Sequence, residues 1–106
     1  MKVSYTRFYN SDKQRLEFLL VDYDYIDGNE KLAELFKTEY GYELIDSIDG
    51  IWFKTIRIAT KDSFYELLWH EDTGNCIYCI TQSEKENSLL EKRLQRVLKL
   101  LNDLLM

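Results

Sequence analysis

The one histidine of the chain, His70, stands six residues before Cys76, the first of two cysteines, and Cys79 follows three residues later. An imidazole beside a thiolate is the smallest nucleophilic pair an enzyme can use. That chemistry also needs a group to orient the imidazole and a set of oxyanion donors, and the sequence places no Gly-rich elbow or helix start beside either residue. A capped imidazole at a strand end and a buried thiol are the expectation instead. No catalytic residue is assigned and the chain is read as a non-enzyme, with a small enzyme using His70 and Cys76 kept as an alternative.

Cys76-x-x-Cys79 has the spacing of a redox or zinc motif, but such motifs need both sulfurs on one side of a turn. Here the pair lies in a strand-like stretch, where residues three apart point to opposite faces, so neither a disulfide nor a shared metal is expected. The best run of oxygen ligands is Asp22-x-Asp24-x-x-Asp27-Gly28-x-Glu30. It lacks the bidentate Glu of a calcium loop and follows a strand rather than a helix. Four scattered glycines provide no phosphate cradle, and no Ser nucleophile motif occurs. The expectation is no metal and no cofactor.

The charge distribution is more informative. From Asp22 to Asp49 nine acids face only Lys31 and Lys37, a net of −7, while the rest of the chain sums to +2. Tyr23, Tyr25, Tyr40 and Tyr42 are interleaved with these acids. Such a field repels nucleic acid and anionic membrane and speeds encounter with a cationic partner, while tyrosines supply contact area at low entropic cost. The expected partner-binding residues are Asp22, Tyr23, Asp24, Tyr25, Asp27 and Glu30, facing a basic protein. The competing reading is an acidic face that only aids solubility.

The elements that must position these residues follow from periodicity. Val3, Tyr5, Arg7 and Tyr9 alternate with polar residues, Asn10-Ser11-Asp12-Lys13 reads as a turn, and Leu16, Phe18 and Leu20 resume the period of two. This predicts an opening hairpin. Asn29 is the expected N-cap of a first helix carrying Leu32, Leu35, Phe36 and Tyr40, with Gly41 as its stop. Asp49-Gly50 signals a two-residue hairpin turn that sets Ile48 opposite Ile51 and Ser47 opposite Trp52. Thr60-Lys61-Asp62-Ser63 turns the next pair, facing Arg57 to Glu66, Ile58 to Tyr65 and Ile56 to Leu67. Glu71–Asn75 then leads into Cys76–Thr81, completing a four-stranded meander over about residues 43–82. In these registers Trp52, Ile56, Ile58, Tyr65, Leu67, Trp69, Ile77 and Cys79 share one face.

Ser83-Glu84-Lys85-Glu86 is a capping box that opens a last helix. Leu90, Leu94, Val97, Leu98, Leu101, Leu104 and Leu105 form its apolar face, widened by Leu89 and Leu100. A stripe that wide suits a helix lying across a sheet and touching the first helix. It also suits a homodimer seam, which is not asserted.

The whole is an α+β fold, an antiparallel sheet of about six strands with one short helix and one long C-terminal helix. At 106 residues, 45% hydrophobic and 31% charged, the chain has the balance of a single globular domain over residues 1–106. No apolar run approaches the roughly 20 residues that span a bilayer, and the N-terminus lacks a signal-peptide core, so a cytoplasmic location is expected.

An acidic α+β domain of this size, with an acid-and-tyrosine surface at Asp22-Tyr23-Asp24-Tyr25-Ile26-Asp27 and acids through Asp49, resembles the bacterial immunity proteins. These neutralise secreted or contact-delivered toxins, many of them basic nucleases. The resemblance implies a non-enzymatic module that binds a cognate, basic toxin domain. A second likeness is to the small acidic secretion chaperones, although their N-terminal helix is replaced here by strands.

Overall fold

The alternation in the first twenty residues folds as a hairpin. In the computed structural model, which describes residues 2–105, β1 (Ser4–Asn10) and β2 (Arg15–Val21) pair antiparallel from Ser4↔Val21 to Asn10↔Arg15. The chain continues through α1 (Gly28–Tyr40), β3 (Glu43–Asp49), β4 (Phe53–Ala59), β5 (Phe64–His70), β6 (Gly74–Cys79) and α2 (Glu84–Leu105). The six strands form one antiparallel sheet in the order β1-β2-β6-β5-β4-β3, an α+β architecture. The opening hairpin thus joins the meander at β6, through Phe18↔Ile77 and Leu19↔Cys76.

β4 and β5 meet in the expected register, Arg57↔Glu66, Ile58↔Tyr65 and Ile56↔Leu67. β3 and β4 do not. Ile48 pairs with Thr55 and Asp49 with Lys54, so residues 50–53 form a four-residue loop closed by the Gly50 N–H donating to the Phe53 carbonyl at 2.8 Å. A two-residue turn of the right twist needs positive φ at both central residues, and neither Asp49 nor Gly50 adopts it. Trp52 therefore leaves the core face on which it was expected and projects into solvent. A bulge between Leu44 and Asp46 leaves Ile45 unpaired in the ladder.

Asn29 is not the N-cap of α1. Asp27 holds that position without a side-chain bond, and Asn29 is buried in the first turn, its Nδ2 donating to the Lys54 carbonyl at 3.0 Å. Asn29 stands two residues past the cap, already inside the helix, where its side chain turns to β4. Gly41 ends α1 as expected, at φ 77°, with its N–H on the Lys37 carbonyl at 2.8 Å. The Ser83 hydroxyl caps α2 by accepting from the Glu86 N–H at 3.0 Å.

Both helices lie on the sheet face that carries Phe18, Ile56, Ile58, Tyr65, Leu67 and Ile77. α2 buries Leu90, Leu94, Val97, Leu98 and Leu101 there, whereas Leu104 and Leu105 run past the sheet and stay exposed. Phe36 of α1 sits edge-on to both Tyr42 and Tyr65, and the Tyr42 hydroxyl accepts from Arg93 of α2 at 2.5 Å, tying the helices together. Among the described residues the opposite sheet face carries no helix. Its centre is covered by its own charges: Arg15–Glu17 at 2.6 Å, Arg57–Glu66 at 2.9 Å, and the Arg15 guanidinium 3.7 Å from the centre of the Tyr78 ring.

A candidate partner-binding face

β2 ends at Val21, and Asp22, at φ 64°, turns the chain across one end of the sheet toward α1. The crossing segment lies on the β5–β6 turn and is held by side chains of those strands. Asn75 Nδ2 donates to the carbonyls of Tyr23 and Tyr25, each at 2.9 Å, and Trp69 Nε1 donates to the Asp24 carbonyl at 2.9 Å. The approach is close enough to require two glycines. A Cβ on Gly74, itself at φ 77°, would stand 2.5 Å from Asp24 Oδ1, and one on Gly28 would stand 2.6 Å from Asn75 Nδ2.

This scaffold separates the six residues singled out from the sequence. Asp22, Asp24, Asp27 and Glu30 are exposed, and Tyr25 is 58% exposed. Tyr23 is not a surface anchor: it is 4% exposed, part of the core cluster, and edge-on to Tyr25 at 5.6 Å. The left-handed turn at Asp22 rotates its side chain inward, and burial pushes its phenol above the ordinary value, with Tyr25 adding to the effect. Asp27 and Glu30 converge on the Lys54 ammonium, Asp27 at 3.9 Å and Glu30 in direct hydrogen bond. The Asn29–Lys54 backbone bond brings α1 and β4 together at this point.

The β3–β4 loop supplies a part of the face that sequence reasoning missed. It projects from the same end of the sheet, with Ile51 84% and Trp52 59% exposed, and its Trp52 carbonyl accepts from the Glu71 N–H at 2.9 Å. Trp52 and His70 line a shallow recess with Glu71 and Asp72. The available signal was the run Ile51-Trp52-Phe53 beside Asp49-Gly50, which reads equally as a strand. Apolar Ile51 and Trp52 thus stand at an end of the molecule that also presents Asp22, Asp24, Asp27 and Asp49 to solvent.

The sulfur and imidazole groups occupy different surroundings. His70 Nδ1 accepts from the Asp72 N–H at 3.1 Å, which caps the strand end. Cys76 is a free, buried thiol pushed up to about 12, by desolvation first and then by the charge of Glu17. Cys79 lies on the helix side of β6, its Sγ donating to the Glu86 carbonyl at 3.4 Å, and burial raises it likewise to about 12. At neutral pH neither cysteine offers a thiolate. Among the described residues no three His, Cys, Asp or Glu side chains gather as metal ligands, and no helix is long and apolar enough to cross a membrane.

No protein-family model matches the chain, and no match to it was found among the curated proteins or the solved structures.

Proposed function

We propose that this chain is a non-enzymatic binding module for a basic protein, acting in the bacterial cytoplasm as an immunity protein that neutralises a cognate toxin domain. The observation that carries the reading is the end of the sheet where exposed Tyr25, Ile51 and Trp52 stand with the carboxylates of Asp22, Asp24 and Asp27. Aromatic and aliphatic groups of this kind supply desolvated contact area, and surrounding carboxylates guide a cationic surface toward it. Lys54, the cation that meets Asp27, is also held by Glu30.

The test is binding kinetics against the product of the neighbouring gene at two salt concentrations. Asp22→Asn and Asp24→Asn should slow association, most at low salt, because exposed charges are screened over about 10 Å at 0.1 M. Tyr25→Ala and Trp52→Ala should lose about 2 kcal/mol, chiefly through faster dissociation. Four variants indistinguishable from the wild type at both salts would reduce this face to a solvated surface.

A further inference from the structure

β3 is an outer strand of the sheet, and all seven of its residues are exposed. Glu43–Asp49 contains no Lys and no Pro, its one bulge lies near its start, and its three charges are all acidic, so the edge is guarded against another acidic strand and open to a basic one. Gly50 and Phe53 form a hydrogen-bonded pair, so alternation along the ladder leaves Ser47 and Asp49 with their N–H and C=O groups directed away from β4. Ser47 and Asp49 also lie on the sheet face that bears α1. Between α1 and β3 a groove of about 360 Å³ opens, floored by Tyr42, Leu44, Ile56 and Ile58, with Glu30, Glu34 and Asp49 along its walls. Its two cations are engaged, Lys37 by Glu43 at 3.8 Å and Lys54 by Asp27 and Glu30, while Glu34 meets Lys31 at 4.0 Å, so among the described residues Asp49 is the wall acid without an ion pair.

We infer that β3 receives an extended segment of a partner protein as a seventh strand, with Lys or Arg side chains of that segment entering the groove beside α1. An apolar floor with acidic walls matches a long aliphatic stem that ends in a cation. On the other face of the added strand, apolar residues would pack beside exposed Ile48. Backbone pairing supplies affinity and the groove supplies selectivity, as in other cases of strand addition. A second copy of β3 is a poor occupant. Full antiparallel overlap would set Asp46 against Asp46 and Glu43 against Asp49, and like charges directly opposite are destabilising. The other outer strand, β1, carries Arg7 and no acid, so charge directs a basic segment to β3. This inference rests on the binding reading above for the partner's charge; the two share Glu30 and Asp49, and Tyr25 and Trp52 belong to the loop-end face alone.

The probe is an acetylated, amidated octapeptide of alternating Lys and Val, titrated into the isotope-labelled protein. Amide shifts and slowed hydrogen exchange should appear at Ser47 and Asp49. They should vanish for the same peptide with a methylated backbone and for an alternating Glu-Val peptide, and the Asp49 signal should vanish in Ser47→Pro. Pro at that position removes an outward N–H and leaves the ladder to β4 intact, so the variant should keep the wild-type circular dichroism. Absence of protection at these two amides in 1 mM Lys-Val peptide overturns the proposal, as does equal binding of the Glu-Val or methylated peptide. Concentration-dependent dimerisation that protects the same amides overturns it in favour of a second copy. Unchanged kinetics in Tyr25→Ala and Trp52→Ala would refute the loop-end face and leave the β3 result standing.

Discussion

One side-chain amide, that of Asn75, donates to the carbonyls of both Tyr23 and Tyr25 and ties the crossing segment to β6. Removing it leaves those carbonyls without their partner, a cost of roughly 1–3 kcal/mol when such groups are buried. Asn75→Ala should therefore lower the urea midpoint by that equivalent and speed amide exchange across residues 23–27. The two thiols give a second residue-level expectation. Both have an ordinary value of 9.0 and are held near 12 in the folded chain. Between pH 9 and 12 the unfolded chain releases protons that the native chain keeps, so stability falls as pH rises through that window and is flat just below it. Urea midpoints measured at pH 8 and pH 10.5 should show the fall, and Cys76→Ala should reduce its slope. The exposed carboxylates and the buried cysteines were legible in the sequence from residue type and spacing. Tyr23 was not, because alternation places Tyr23 and Tyr25 alike, whereas the segment beyond Tyr23 leaves extended geometry and turns at Tyr25, whose carbonyl accepts from the Gly28 N–H at 2.9 Å. Asn75 was hidden for a related reason: as a residue at a hairpin corner it declares nothing about a segment fifty positions away.

At the level of elements, α2 is held by a stripe of buried Leu and Val, and Leu94 is wholly enclosed within it. Leu94→Ala should cost about 2–5 kcal/mol in chemical denaturation, and a loss below about half a kcal/mol would mean the helix does not share the core. The β4–β5 register could be read in advance because two independent signals agreed, the Arg57–Glu66 pair on one face and Ile58 with Tyr65 on the other. The β3–β4 register could not. Moving the partner of Ile48 from Ile51 to Thr55 is a shift of four residues, an even number, so the residues paired between the bulge and the loop, Asp46–Asp49 with Lys54–Arg57, keep their faces and their hydrophobic pattern does not change. Only turn geometry distinguishes the two, and Asp-Gly is a preference rather than a requirement. The loop that results is where Ile51 and Trp52 become exposed.

Across the whole molecule, the six strands and two helices were legible, and the place of the opening hairpin was not, since periodicity identifies strands without stating their neighbours. That place has a kinetic consequence. The pairings β3–β4, β4–β5 and β5–β6 join segments close in the chain, whereas Phe18↔Ile77 closes a loop of almost sixty residues. Closing a long loop costs entropy before any contact rewards it, so local pairings form first. The meander is the expected nucleus, with the hairpin docking on β6 after the rate-limiting step. In stopped-flow measurements Ile58→Val should then slow folding with little change in unfolding, while Phe18→Leu should leave folding nearly unchanged and accelerate unfolding. Equal effects of both variants on the folding rate would place the docking of β2 inside the transition state. With docking late, the brief escapes of the native chain begin at β2, and they uncover the β6 edge before they disturb the strands on its other side.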